Sequence, residues 1–250
     1  MRNLLLSALV IMGASGDPAT RAADSAAPIK VLVVTGGHGF RAEPFFQMFE
    51  DNPDITYATA AQDKAAEAYD REDLLSHDVV VLYDSPSTIT EAEKVRFLSL
   101  FVKGVGVIVL HHALLSYQDW PEYERIAGGK YVLDPAKESD PTIRGSNCWN
   151  DPGKSGCKPD VTIPVRIVAK DHPVTAGLSD FTLTDELYLD VHMRPDVVPL
   201  AATGDEVLVW AREQGRSRVV GTMLGHGPPA YGDPSFRKLL AQSIRWVARR

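Results

Sequence analysis

Four of the seven histidines come directly after predicted β-strands. They are His38, His111, His112 and His226. In open α/β sheets, ligands bind beyond the carboxyl ends of the strands. Imidazole is both a metal ligand and a proton carrier near neutral pH, so this placement predicts a metal site or an acid–base site. The alternative is that these histidines only hydrogen-bond the glycine-rich turns around them.

Two acidic residues add to this set. Asp185 and Glu186 open a short strand-like run that ends at Asp190, and His192 follows just beyond it. A mixture of histidine and glutamate side chains suits Zn²⁺ or another divalent transition metal. Glu186 is therefore a candidate base or metal ligand, and the alternative is a solvated loop acid.

The glycine-rich segment after the first predicted strand has two interpretations. Residues 37–42 match the pattern G-x-G-x-x-A, and Asp63 lies about twenty residues further on, as in a dinucleotide-binding fingerprint. The same glycines serve equally well as a tight turn that exposes His38.

The corner after the fourth predicted strand lacks the nucleophile of an α/β hydrolase. It reads Val109-Leu110-His111-His112-Ala113, with neither a G-x-S-x-G motif nor a cysteine. The sequence therefore predicts no hydrolysis of glutamine and no reaction with serine- or thiol-directed reagents.

Alternating strands and helices must position these residues. Continuous apolar runs predict buried parallel strands at residues 29–35, 78–83 and 105–110. A crossover helix at 41–50 leads to a further strand at 55–60. A helix is predicted between the third and fourth strands. Thr90 and Glu93 form its capping box, and Gly104 ends it. Its apolar stripe consists of Val95, Leu98, Phe101 and Val102.

The second half of the chain adds strands of a different kind. Residues 134–160 are polar and rich in Gly and Pro, which is typical of a lid or binding loop. The next strand, 161–169, contains Pro164, which confines it to a sheet edge. Three more strands and a closing helix are predicted at 198–202, 207–212, 219–224 and 234–248. The pattern predicts a single α/β domain with a mostly parallel sheet and antiparallel additions.

Composition and the N-terminus indicate where the protein acts. The chain is 44% hydrophobic with a net charge of −7, which excludes wholesale disorder and argues against nucleic-acid binding. Arg2, the apolar residues 4–12 and a polar, Ala-rich stretch through residue 27 form a secretory signal pattern. No later run is long enough for a membrane span. We therefore expect a signal peptide and linker at 1–27, a domain at 28–250, and a periplasmic or secreted protein.

Export changes the interpretation of the two cysteines. Cys148 and Cys157 enclose a turn-rich segment that can bring its ends together. In an oxidising compartment they are expected to form a disulfide. Two free thiols are the alternative.

Four segments resemble the ThuA-like (trehalose utilisation) family over about residues 29–250. They read LVVTGGHGF, VIVLHHALLSYQDWPEYERIAGGKY, DHPVTAGLSDFTLTDELY and GTMLGHGPPAYGDPSFRKLLAQSIRWVA. The chain departs from the commoner family pattern in having GGHGF after the first strand and in its Cys-containing loop. The resemblance implies a flavodoxin- or class I glutamine amidotransferase-like three-layer sandwich without that fold's Cys nucleophile.

The resemblance also implies a function and a site. Family members are associated with sugar catabolism, including the processing of 3-keto-disaccharides made by a partner sugar oxidoreductase, and some carry a metal. The matched positions make His38, His112 and His226 candidate ligands of a divalent metal such as zinc, and Glu186 the candidate base or a further ligand. His111 is then expected beside the metal or against the substrate.

Sugar contacts and alternative functions complete the expectations. Tyr117 and Trp149 are candidate stacking surfaces for a carbohydrate, whereas Trp120 is expected in the core. The alternatives are a carbohydrate-binding module without catalysis and a dinucleotide-binding oxidoreductase. The sequence leaves both a monomer and a homo-oligomer open.

Overall fold

The computed structural model describes residues 27–62, 67–134 and 153–250. Its main feature is a nine-stranded sheet, whose first four strands are β1 (Ile29–Gly36), β2 (Ile55–Ala61), β3 (Val79–Asp84) and β4 (Gly106–Leu110). Five more strands complete it: β6 (Gly156–Ile167), β7 (Phe181–Leu189), β9 (Val198–Thr203), β10 (Glu206–Gln214) and β11 (Ser217–Thr222). Two short strands, β5 (Gly129–Lys130) and β8 (His192–Met193), pair separately.

The large sheet has a parallel half and an antiparallel half. The strand order is β2-β1-β3-β4-β11-β10-β9-β6-β7. All pairs from β2 to β11 are parallel, and all pairs from β11 to β7 are antiparallel. Strands β1, β3 and β4 consist almost entirely of buried residues, as expected where helices cover both faces. The predicted α/β domain with a mostly parallel sheet and antiparallel additions is confirmed.

Helices form the two outer layers of the predicted sandwich. They are α1 (Ala42–Glu50), α2 (Glu91–Lys103), α3 (Pro121–Ala127), α4 (Pro228–Gly232) and α5 (Pro234–Val247). Helix α4 contacts both α1 and α5, whereas α2 contacts the 3₁₀ helices Glu67–Asp70 and Leu74–Ser76. The crossover from β1 to β2 carries α1 and runs one way along the sheet, whereas the crossover from β3 to β4 carries α2 and runs the other way. Because such crossovers are right-handed, the two groups of helices lie on opposite faces. None of the described helices is long and apolar enough to cross a membrane.

Helix α2 confirms the predicted capping but not the predicted stripe. The Glu93 amide donates to the Thr90 hydroxyl (3.3 Å), and the Thr90 amide donates to the Glu93 carboxylate (2.6 Å). The predicted stripe is wrong at Val95 and Val102, which are 69% and 72% exposed. The buried side chains are instead Phe97, Leu100 and Phe101, with Glu93 of the cap. The rings of Phe97 and Phe101 bury more apolar area than two valines, so they decide which face points inward.

Strand β6 is longer than predicted and does not lie at the sheet edge. It pairs with β7 along much of its length, and with β9 at Arg166 and Ile167. Among the described residues, Pro164 pairs with Thr182 of β7 and not with β9. A backbone N–H is therefore not needed on the β9 side, and the proline is tolerated.

Gly221 provides a test of core packing. A Cβ atom there would collide with the ring of Trp210, which is fully buried and donates from Nε1 to the Ala127 carbonyl (2.7 Å). We expect Gly221→Ala to lower the free energy of unfolding by about 1–3 kcal/mol, because overpacking forces the ring to move. Urea denaturation measures the change. Gly232→Ala is the control, since no atom lies within 4 Å of its added Cβ; an equal loss in both variants would contradict the packing argument.

Candidate active site

The four strand-end histidines lie at one edge of the parallel half of the sheet. His38 follows β1, His111 and His112 follow β4, and His226 follows β11. Strands β1 and β3 are neighbours at the point where the strand order reverses, which is the usual place for a ligand crevice in such sheets.

His111 follows β4 directly and begins a 3₁₀ helix. Its backbone is left-handed (φ 44°), and its side chain is fully buried. Nδ1 lies against the carbonyl of Met223, and Nε2 lies 3.1 Å from Oε2 of Glu186. A carbonyl only accepts, so Nδ1 carries a proton and Nε2 faces the carboxylate. The ring also stacks on Tyr188, with centroids 4.2 Å apart.

Three of the histidines form a group with metal-binding spacing. The candidate ligand atoms of His111, His112 and His226 all lie within 4.8 Å of one another. Nε2 of His112 is buried and has no hydrogen-bond partner among the described residues. Burial, followed by the nearby charges of the other histidines, lowers the pKa of His112 well below its usual value. The ring therefore stays neutral, as a metal ligand must be.

His38 lies beside this group rather than in it. Its Nε2 is 2.9 Å from the carbonyl of Tyr83, to which it must donate, and its ring packs at a tilt of 34° against His112, with centroids 3.6 Å apart. Burial lowers the pKa of His38 as well. The group with metal-binding spacing is thus His111, His112 and His226, whereas the sequence predicted His38, His112 and His226 as ligands; the ligand set stays a prediction.

Glu186 reaches the site from the far side of the sheet. The β6–β7 ladder is irregular between Lys158 and Val161, opposite Asp185 and Leu187, and such bulges turn a strand aside. Burial raises the pKa of Glu186, but the hydrogen bond from His111 and the charges of His111 and His226 together hold it below its usual value. Glu186 is therefore an ionised carboxylate beside the three histidines.

The backbone of His226 is held from both sides. The amides of Gly225 and His226 donate to the two carboxylate oxygens of Asp185 (2.6 and 3.0 Å). The His226 carbonyl accepts from the hydroxyls of Tyr231 (2.6 Å) and Tyr83 (3.1 Å). Sequence reasoning missed the two tyrosines and the contacts of Asp185, because they join segments that are far apart along the chain.

The predicted sugar contacts fare differently. Tyr117 is only 2% exposed, and its hydroxyl lies 3.3 Å from Nε2 of Gln62 and 3.5 Å from the hydroxyl of Tyr69. The proposed stacking on Tyr117 is therefore corrected, because the ring faces the interior. Trp120 packs against Phe97, as expected of a core residue.

Three residues named in the sequence predictions lie outside the part of the chain that the structure describes. Trp149, Cys148 and Asp63 lie outside the described residues, so a sugar contact at Trp149 and the disulfide stay predictions. Cys157 is buried in β6.

The glycine-rich turn after β1 favours the second of its two interpretations. Gly36 and Gly37 have φ values of 130° and 76°, and a Cβ on either would collide with backbone atoms of Gln62 or Ser85. These two glycines form the tight turn from which His38 projects. Open space surrounds Gly39, so the second glycine of the fingerprint makes no close approach within the described chain.

The geometry fits a divalent metal. Three imidazoles with a carboxylate nearby are a zinc-type donor set, and the unpartnered Nε2 of His112 is a buried polar atom that a cation would satisfy. To bind a cation, Nε2 of His111 would give up its hydrogen bond to Glu186, while Nδ1 would stay on the carbonyl of Met223, which is the usual support of a ligand histidine.

Fold and site together define the class of protein. This is an α/β protein that carries a cluster of histidine and carboxylate side chains at the ends of its parallel strands. The family model described as ThuA, trehalose utilisation, matches residues 30–247, and the chain belongs to that family.

Solved structures confirm the fold. A putative ThuA-like protein from Parabacteroides merdae ATCC 43184 is 21% identical with a TM-score of 0.71, over 88% of this chain and 90% of that one. One from Bacteroides uniformis ATCC 8492 is 21% identical with a TM-score of 0.65, over 93% and 95%. A cytoplasmic protein from Salmonella typhimurium is 14% identical with a TM-score of 0.60, over 88% and 99%. No curated protein matches the chain.

Proposed function

We propose that this protein is an enzyme that cleaves or isomerises a keto-sugar or related glycoside, with a divalent metal such as zinc held by His111, His112 and His226. The observation that carries the proposal is the grouping of three histidine ligand atoms within 4.8 Å of one another, with the ionised Glu186 carboxylate beside them. Membership of the trehalose utilisation family supports a carbohydrate substrate.

The proposed reaction follows from the metal held by the histidines and from the Glu186 carboxylate. A divalent cation at this position supplies polarisation of a substrate carbonyl, which acidifies the adjacent C–H bond. Glu186 is ionised and accepts that proton. The electron pair of the C–H bond then forms a carbon–carbon double bond as the glycosidic C–O bond breaks, and the leaving oxygen takes up a proton. In this structure Nε2 of His111 lies 3.1 Å from Oε2 of Glu186, which puts the carboxylate beside the position that the cation would occupy.

The substrate class implies a partner and a location. A keto-sugar must be made by oxidation of a sugar hydroxyl, so a sugar oxidoreductase is the proposed upstream partner. The N-terminal signal pattern supports a location of substrate and enzyme outside the cytoplasm.

Metal analysis with a matched pair of variants tests the proposal. We expect the purified protein to bind Zn²⁺ stoichiometrically, and His226→Ala to lose both the metal and turnover of an oxidised disaccharide. The control is His192→Ala, because His192 is an exposed histidine that pairs with Glu124 away from the group.

Three outcomes would contradict the proposal in different ways. Stoichiometric metal in His226→Ala would show that His226 is not a ligand. Sugar binding without turnover and unaffected by chelator would identify a carbohydrate-binding module instead. Changed nucleotide fluorescence on mixing with NADH would identify the dinucleotide-binding alternative.

A further inference from the structure

Strand β7 contacts two of the three histidine-bearing loops through one short segment. Glu186 contacts His111 after β4, and Tyr188 stacks on the same ring. Asp185, on the same segment, bonds the loop after β11. Residues 185–188 therefore connect the loops that follow β4 and β11.

We infer that Asp185 is a positioning residue that fixes His226 against His111 and His112 through the main chain of the Gly225–His226 loop. This inference rests on the proposed function, since it concerns the geometry of the same metal group. Among the described residues, Asp185 has no hydrogen bond to any of the three rings of the group; it acts by holding the backbone from which the His226 ring projects.

The need for such a residue is visible at His226. Among the described residues, neither ring nitrogen of His226 has a hydrogen-bond partner, and all of its hydrogen bonds involve its backbone. Its position is therefore set by the loop. That loop includes Gly225, whose φ of 105° lies in the left-handed region that glycine adopts readily, so the backbone can turn there without strain.

Asp185 is suited to hold it. The carboxylate is 3% exposed and offers one oxygen to each of two successive amides, which fixes both the position and the direction of the loop. Charge-assisted hydrogen bonds of this kind are stronger than neutral ones. The hydroxyls of Tyr231 and Tyr83 fix the following carbonyl, so the peptide units on both sides of His226 are bonded.

Asp185→Asn tests the role with almost no change of shape. The amide group keeps one acceptor, so one of the two backbone bonds is lost. We expect the affinity for Zn²⁺, measured by competition with a chelator, to fall about 10–100-fold, as is typical when an outer partner of a metal ligand is removed. The visible absorption of bound Co²⁺ is expected to change, because the ligand geometry loosens.

Asp233→Asn is the matched control. Asp233 also accepts from two successive backbone amides, those of Ser235 and Phe236 (2.8 and 2.9 Å), but both bonds go to Oδ1, so Asp233→Asn removes the charge and keeps the bonds. Asp233 caps α5 and contacts none of the histidines among the described residues. If both variants weaken Zn²⁺ equally, the effect is general destabilisation and the inference is wrong. Should Asp185→Asn fail to fold, Tyr231→Phe removes the shorter bond to the His226 carbonyl and is expected to weaken Zn²⁺ binding in the same direction.

Hydrogen exchange separates this inference from the proposed function. In metal-free protein, Asp185→Asn should speed the exchange of the Gly225 and His226 amides, whereas Asp233→Asn should not. If the unaltered protein binds no Zn²⁺ or Co²⁺, the proposed function fails and amide exchange alone decides whether Asp185 holds the loop. If the protein binds Zn²⁺ and Asp185→Asn changes neither affinity nor exchange, the inference is overturned while the proposed function stands.

Discussion

Replacing Glu186 with glutamine is expected to lower the turnover of a keto-glycoside by about 10²–10⁴-fold, the range over which a positioned proton acceptor contributes to catalysis. The amide keeps the shape of the side chain but cannot take a proton. The carboxylate is held below its usual pKa in spite of its burial, so the unaltered residue is in the accepting form at neutral pH. Steady-state kinetics at saturating substrate measures the loss.

The control uses a second pair of the same chemical type. Glu124 contacts His192 (2.7 Å) on the surface, as Glu186 contacts His111 in the site. We expect Glu124→Gln to retain full turnover. Retained turnover in Glu186→Gln would assign the proton transfer to another group, and a loss of Zn²⁺ in that variant would make Glu186 a ligand rather than a base.

Asp84 is expected to make the protein less stable as the pH rises from about 4 to 7. Burial raises the pKa of this carboxyl to about 7, although its hydrogen bond from Gln62 favours the charged form. One oxygen, Oδ1, has no hydrogen-bond partner among the described residues. Tyr69, Tyr117 and Gln62 surround the carboxyl, and none of them carries a compensating positive charge.

The sign follows from proton binding in the two states. Between about pH 4 and 7 the folded state keeps the Asp84 proton while the unfolded state has lost it, so stability falls as pH rises. At about 1.4 kcal/mol for each pH unit, the contribution is about 4 kcal/mol. It is complete below pH 4 and absent above pH 7.

Comparison with Asp84→Asn isolates this contribution from those of the histidines. Urea denaturation at pH 4.5 and pH 8 should show that the variant gains stability relative to the unaltered protein as the pH rises. Asp205→Asn, in the exposed turn between β9 and β10, should show the same offset at both pH values. A constant offset for Asp84→Asn would mean that the carboxyl is ionised in the folded protein throughout.

The parallel half of the fold and its histidines were predictable from local signals. Apolar runs such as residues 29–35 identify strands buried on both faces, and the rule for strand ends then places His112 and His226 at one edge. Whether His38 or His111 lies in one group with His112 and His226 was not predictable from the sequence. It depends on which carbonyl each ring meets, Tyr83 for one and Met223 for the other, and these contacts cross between strands.

The antiparallel half was harder for a physical reason. Only residues 186–190 of the β7 region gave a strand-like pattern, whereas the strand extends over Phe181–Leu189. Its residues face different surroundings on either side of the bulge, so no single alternation runs through it. The side of α2 that faces inward was likewise decided by tertiary packing of Phe97 and not by the spacing of its valines.

The contact between Glu186 of β7 and His111 after β4 also determines when the site can form during folding. Glu186 lies 75 residues from His111 along the chain, and Met223 lies 112 residues from it. Contacts between such distant segments carry a large loop-closure entropy and form after local structure. A nascent chain that has completed β4 already contains His111 and His112 but neither their carboxylate nor the carbonyl that orients His111. Capture of a metal by this group would therefore mark the completion of folding and could not nucleate it.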